Sequence, residues 1–327
     1  MSGKPDGLVF FRRAFPSANM VLLTGERPAL VDTGFGGDFP RTERLLREAG
    51  TPTENISLIV NTHSHCDHSG GNHALQGLYG TPIAAHRWES SLINRRDPEA
   101  CGARWLGQHI EAYQVEHPLS EGDEIEAGDT VLRVVHTPGH TLGHVSFYLP
   151  GERALIGGDV FHDDDVAWLN PFREGPAAID RILESLDRLA KLPIEWACSG
   201  HGPAIEDPAS AIDAARRRYE KWLEDPEKIA WHACKRIFAY ALMLEDGMNR
   251  QESAAYLLDS PWFSDYARYS FGLAPEEFVE PLIEEMLRSG AGEWRDDRLR
   301  AASPYDPPPE GWPSGPARPE KWPPAFT

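Results

Sequence analysis

The chain has 327 residues, 41% hydrophobic and 25% charged, the ordinary range for a globular protein with a sizeable buried core. Its net charge of −19 disfavours nucleic acid as a partner, because polyanion binding draws on clustered Lys and Arg. Arg12 and Arg13 interrupt the first apolar residues before a signal-peptide core can form, and no stretch approaches the roughly 18 consecutive apolar residues that a membrane span needs. A cytoplasmic protein with no membrane contact is expected, with Cys66, Cys101, Cys198 and Cys234 as free thiols, their irregular spacing being unlike a disulfide framework.

Between residue 20 and about 205, short β-rich runs alternate with helical patterns, the grammar of an α/β domain. Strands are predicted at Ala29–Asp32, Leu58–Asn61, Pro82–Ala85, Val131–His136, Val145–Leu149, Ala154–Ile156 and Trp196–Cys198. Ile179, Ile182, Leu183, Leu186 and Leu189 have helical spacing between Pro176 and Pro193, so one apolar stripe should pack a helix on a sheet. The pattern changes after Pro208. Ala211–Leu223, Ile229–Leu244 and Gln251–Leu258 read as helices, and Pro275 can open another whose buried face is Phe278, Val279, Leu282, Ile283, Met286 and Leu287, with Gly290 ending it. The following GEWRDDRLRA suits a β-hairpin. The expected division is a catalytic domain over 1–208, a helical domain over 209–302 and a proline-rich tail over 303–327, extended or disordered, whose Trp312 and Trp322 have room to dock.

Residues 61–72 read NTHSHCDHSGGN, three histidines and an aspartate within six positions directly after an apolar strand. A strand end followed by a loop can turn neighbouring side chains toward one point, and Gly70 and Gly71 permit a tight turn. Imidazole and carboxylate are the donors that zinc and similar cations prefer. Further candidates stand beside glycine or proline at other strand ends: His140 in HTPGHTLGH, Asp159 in LIGGDVF and His201 in CSGHGP. One lone histidine would read as an incidental loop residue. The set reads as a metal site.

The chain here resembles the metallo-β-lactamase superfamily, whose H-x-H-x-D-H motif is matched by His63, His65, Asp67 and His68, with the ALVDTG strand and the later ligands also in place from about Asn19 to Pro203. The resemblance implies an αβ/βα four-layer sandwich. It also implies two divalent metal ions, zinc first with iron or manganese acceptable, one held by His63, His65 and His140, the other by Asp67, His68 and His201, with Asp159 bridging. Two such ions, roughly 3.5–4 Å apart, would share a hydroxide as nucleophile, and Asp67 would orient it or accept its proton.

Cys66 and Cys198 read as packing residues, and His73, His86 and His144 as structural histidines or outer partners of ligands. The run FHDDDVAWLNPF puts His162, Asp163, Asp164, Asp165, Trp168 and Asn170 in a loop bordering the pocket, with Trp168 and Asn170 as candidate substrate contacts.

TPGHTLGHVSFYLP followed by GGDVF resembles glyoxalase II, a thioesterase branch, whereas the C-terminal helices and hairpin resemble the winged-helix appendage of a lactamase-like branch that includes an endoribonuclease. The expected activity is hydrolysis of a small thioester, ester or lactone, with RNA cleavage as the alternative. Residues 209–300 hold 13 Lys plus Arg against 18 Asp plus Glu, a net −5, and only Arg216, Arg217 and Arg218 cluster, which lowers the RNA reading. A β-lactamase is disfavoured without an export signal, and a non-enzymatic winged-helix binding module by the complete ligand set. A small-molecule substrate and a possible homodimer complete the expectation.

Overall fold

The computed structural model describes residues 4–97, 99–108, 110–309 and 321–322. The first half supplies strands β1 (Leu8–Phe11), β2 (Met20–Leu23), β3 (Ala29–Val31), β4 (Leu58–Val60), β5 (Ile83–His86), the two-residue β6 (Ile110–Glu111) and β7 (His117–Leu119). Six of them form one sheet in the order β1-β2-β3-β4-β5-β7. β1 to β3 pair antiparallel and β3 onward parallel. Parallel neighbours need crossovers, and helices provide them: α1 (Phe39–Glu48), α2 (Cys66–Ser69), α3 (Asn72–Tyr79), α4 (Arg87–Asn94) and α5 (Ala103–Leu106).

The second sheet holds β8 (Glu124–Ala127), β9 (Thr130–His136), β10 (Val145–Leu149), β11 (Ala154–Ile156) and β12 (Trp196–Cys198), in the order β12-β11-β10-β9-β8. β8 to β11 pair antiparallel, and α6 (Ala178–Leu189) returns the chain so that β12 runs parallel to β11.

Side chains alternate across each strand, so each sheet has two faces to bury. Val21, Leu23, Val31, Val60 and Ala84 of the first sheet meet Leu132, Val134, Val145, Phe147 and Ile156 of the second, forming the core between the sheets. The opposite face of the first sheet, Leu22, Leu30, Ile59 and Ile83, packs against Leu46, Leu75 and Ile93 of α1, α3 and α4. The opposite face of the second, Val135, Tyr148, Leu155 and Ala197, packs against Ile182 and Leu186 of α6. The result is the expected four-layer αβ/βα sandwich.

The expected strands all form. Sequence reading missed β1, β2, β6, β7 and β8; in β2, MVLL is an apolar run buried on both sides with no alternation to mark it. It also passed over α1, α2, α3, α4 and α5.

Beyond β12 come α7 (Pro208–Glu224), α8 (Pro226–Leu244), α9 (Arg250–Asp259), α10 (Pro261–Asp265), α11 (Pro275–Arg288) and the hairpin β13 (Gly292–Arg295) and β14 (Arg298–Ala301). α7 and α8 each begin three residues before their expected start, because Pro208 and Pro226 occupy the first helical turn, where a missing N–H costs nothing. Asp207 caps α7 by accepting from Ser210 N at 3.0 Å. Asp296 and Asp297 take the left-handed φ of 49° and 62° that a two-residue hairpin turn requires. Leu287 departs from expectation: it is 38% exposed, since the helix turns it past the edge of the face formed by Phe278, Leu282 and Met286.

α7 packs its apolar side, Ile212, Ala215 and Tyr219, onto α6, while Phe238, Leu242, Trp262, Phe263, Phe278 and Met286 form a further core that takes in Trp105 and Leu106 of α5. The tail runs back along the first half: Asp306 N donates to Phe15 O at 2.7 Å, Arg41 pairs with Asp306, and β15 (Lys321–Trp322) pairs with β6. Trp312 lies outside the described residues. Among the described residues no helix is long and apolar enough to cross a membrane.

Candidate metal centre

The parallel strands of both sheets end at one rim, and the candidate residues stand just beyond those ends. β4 delivers His63 and His65 in its loop and Asp67 and His68 on α2; the β9–β10 loop carries His140; Asp159 follows β11 and His201 follows β12. Residues 66–69 form a helical turn where an alternating loop was expected. That turn sends Cys66 inward, its Sγ 3.3 Å from Gln108 Oε1 and 3.5 Å from the Tyr240 hydroxyl, so Cys66 is a buried packing residue. Gly70 has an ordinary helical φ of −62°. Its need for glycine is space, because a Cβ there would strike Gly36 N and Cys66 O. Gly200 is constrained in the same way by Asp159 and His68.

All seven expected residues meet. His63 Nε2 lies 3.1 Å from His65 Nδ1, which lies 3.0 Å from His140 Nε2. His201 Nε2 stands 3.2 Å from Asp67 Oδ2, and His68 Nε2 3.7 Å from the same oxygen. Asp159 sits between these two groups: its Oδ1 is 3.5 Å from His68 Nε2, and its Oδ2 is 3.5 Å from His201 Nε2 and 3.8 Å from His140 Nε2. Donor atoms within 4.8 Å of one another group as His63, His65, His140; His63, His68, Asp159; and Asp67, His68, His201.

Electrostatics prepare these donors. Burial, reinforced by neighbouring imidazoles, holds His63 and His65 well below the usual histidine pKa, and burial likewise lowers His140, so all three present neutral lone pairs. Burial works against ionised Asp67 and Asp159, but His68 and His201 outweigh it and both carboxyls stay low. Burial also opposes a charged His68, yet Asp159, Asp67 and Asp32 hold its pKa well above normal, so a cation arriving at Nε2 would displace a proton there.

The family model described as "Metallo-beta-lactamase superfamily" matches residues 13–201. The chain belongs to that superfamily. A hydroxyacylglutathione hydrolase of Maricaulis maris is 33% identical over 48% of this chain and 52% of its own length. The acyl-coenzyme A thioesterase MBLAC2 of Bos taurus is 28% identical over 56% and 75%, and the lactamase-like protein nscB of Aspergillus fumigatus 26% identical over 88% and 76%. The chain spans about half the length of the hydroxyacylglutathione hydrolases it matches. A solved metallo-beta-lactamase family protein of Thermus thermophilus shares the fold, with a TM-score of 0.59 at 24% identity over 91% of this chain and 99% of that one.

The superfamily's metals have a place to sit here. His68 Nε2 and Asp159 Oδ1 are fully buried with no hydrogen-bond partner, and buried polar atoms of this kind call for a compensating ligand. Three of the five imidazoles are aimed by their other nitrogen: His140 Nδ1 donates to Trp168 O at 2.7 Å, His63 Nδ1 lies 3.1 Å from Thr62 Oγ1, and His68 Nδ1 donates to Asp32 Oδ2 at 2.8 Å.

Asp32 is the functional residue that sequence reading missed. It holds His68 and also accepts from Thr62 N at 2.9 Å and Thr62 Oγ1 at 2.7 Å. The signal was a carboxylate ending a buried strand, followed by Thr33 and Gly34. His144 proves to be a supporting group, accepting from Asp159 N at 2.8 Å. His73 instead bonds Ala112 O and His86 stacks on His136, both away from the cluster.

A cleft of about 230 Å³ opens over the cluster, and His162, Asp164, Asp165 and Trp168 line it. Asn170 does not: it is buried and caps the backbone N–H groups of Phe172 and Arg173 at 3.2 Å. Asp165 is not a solvated loop residue, since it pairs with Arg218 and Arg236. Arg216 and Arg217 also pair, with Asp187 and Asp213.

Proposed function

We propose that the protein is a hydrolase with two divalent cations, most naturally zinc, that cleaves a thioester or ester of a small molecule. The observation that carries this reading is the convergence of seven imidazole and carboxylate donors, two of them with orphaned atoms, at the floor of one cleft. His63, His65 and His140 would hold one cation, Asp67, His68 and His201 the other, and Asp159 would reach both. Cations held there supply a water of near-neutral pKa and polarise the acyl oxygen.

The chain's own groups do the rest. Asp67 Oδ2, at the mouth side of the cluster and kept ionised by His68 and His201, orients the attacking water and takes up its proton. His140 and His65 are shielded on one side by Trp168, whose ring stacks on His65 at 5.6 Å, and His201 by Phe15 at 4.6 Å. Excluding water there strengthens every charge interaction at the reacting centre. A thiolate leaving group of low basicity needs no dedicated proton donor, and the alkoxide expelled from an ester takes the proton that Asp67 has accepted from the water. The pairing of Arg216, Arg217 and Arg218 with carboxylates leaves that cluster without the free positive charge an RNA backbone would require, which supports the acyl reading over the phosphodiester one.

The test is metal analysis joined to a substrate screen. The purified protein should hold about two metal equivalents, and chelation should abolish hydrolysis of thioesters or esters, with return on adding zinc. A metal-free preparation with full activity, or cleavage of RNA and no acyl substrate, refutes the reading.

A further inference from the structure

The wall facing the metal donors belongs to the C-terminal helices. Ile237, Tyr240 and Met243 stand three residues apart on one side of α8 and line the cleft, joined by Leu106 of α5. These apolar side chains contrast with the polar floor. Apart from the proposed metal ligands and His162, the charged groups on the lining are Asp164, Asp165 and Arg236. Arg236 is an ion-pair partner of Asp165, which also holds Arg218. The Tyr240 hydroxyl is likewise engaged, 3.1 Å from Pro16 O. The inner cleft therefore offers an incoming acyl group apolar surface and no free cation among the described residues.

We propose, on the basis of the hydrolase reading above, that the acyl group the protein accepts is uncharged and apolar, about the size of one aromatic ring with a short linker, and that Ile237 and Met243 set that size. A dry apolar cavity of about 150 Å³ already accommodates benzene. The cleft's roughly 230 Å³ must also hold the two cations, their water and the reacting carbonyl, which leaves no more than about one ring's worth of room. Charge works in the same direction. A carboxylate on the acyl chain would leave water to lie beside Asp164 and Asp165, with the one adjacent cation committed. A short hydroxyacyl group would leave the apolar wall unfilled.

The experiment uses the metal-loaded protein and N-acetylcysteamine thioesters, a neutral leaving group that lets the acyl part vary alone: acetyl, lactoyl, phenylacetyl and succinyl. The expected order in kcat/KM is phenylacetyl above acetyl and lactoyl by ~10-fold or more, with succinyl lowest, because burying several apolar carbons in the transition state favours the first. Met243→Trp and Ile237→Trp, which fill the cleft, should each lower the phenylacetyl-to-acetyl ratio ~10-fold, whereas the volume-conserving Met243→Leu should change it less than about 3-fold. A ratio is insensitive to how much of a variant preparation is active.

A second readout needs no turnover. The non-hydrolysable thioether analogue of the phenylacetyl substrate should bind the protein with a negative heat-capacity change, and Met243→Trp should weaken it ~10-fold. Preference for lactoyl or succinyl thioesters overturns the acyl assignment while leaving the hydrolase reading intact. Absence of hydrolysis of every thioester strikes at the hydrolase reading, and the thioether titration then decides the pocket by itself, no binding overturning it.

Discussion

Replacing Asp32 by asparagine changes one oxygen to an amide nitrogen and keeps the shape. In the native protein, Oδ1 accepts from Thr62 N at 2.9 Å, and Oδ2 accepts from Thr62 Oγ1 at 2.7 Å and His68 Nδ1 at 2.8 Å. The amide would keep the first bond and present a donor where two donors already point. Thr62 Oγ1 can accept from the new amide and turn its own proton aside, but His68 can only respond by moving its proton to Nε2. Nε2 is the atom that faces Asp67 and Asp159, so the substitution blocks a metal donor from 36 residues away in sequence. Loss of an outer partner of this kind costs 10–100-fold in metal affinity, about 1.4–2.7 kcal/mol. The fold loses ~2 kcal/mol as charge-assisted bonds become neutral ones. Competition with a chromophoric chelator measures the affinity of each equivalent, and nitrogen NMR reports the His68 tautomer. A D32N protein that binds its second equivalent as tightly as the native protein would refute the assignment of His68 Nε2 as a donor held in place by Asp32.

Gly200→Ala should lower binding of both metal equivalents, because the new Cβ strikes Asp159 and His68; unchanged metal content would show that the backbone there yields freely. Glu89 is a buried carboxyl whose Oε1 accepts from Thr141 Oγ1 at 2.6 Å, and burial pushes its pKa up to about 7 from 4.5. The folded state thus resists its ionisation: its contribution is fully present below pH 4.5 and is lost by ~3 kcal/mol as pH rises through 7. Urea unfolding of Glu89→Gln beside the native protein should show the variant gaining by that order between pH 4.5 and 8, and a pH-independent difference would count against it. Phe278→Ala, in the core between α8, α10 and α11, should cost ~3–5 kcal/mol in chemical denaturation, with a loss below ~1 kcal/mol showing that the C-terminal core is not packed as described.

The sequence by itself determined the chemistry and the scaffold. Three histidines and an aspartate within six positions, with His140, Asp159 and His201 each at a strand end, name a donor set, because residue types at strand ends are read directly from local pattern. Seven strands from Ala29 to Cys198 and the four longer helices from Pro208 to Arg288 were legible for the same reason, that hydrophobic period and proline position are local properties, whereas the short β6, β7, β8 and α10 offer too few residues to show a period. Tertiary structure alone decided what lies far apart in the chain. It aimed His68 with Asp32, turned His144 into a support for Asp159 and tied Asp165 to Arg218 and Arg236. It withdrew Asn170 from the cleft. It also set Ile237 and Met243, some 170 residues after the His63 motif, as the wall opposite the donors. A short polar or apolar side chain carries no mark of its distant partner; only the packing of one sheet against the other, and of α8 across their common rim, brings the two together.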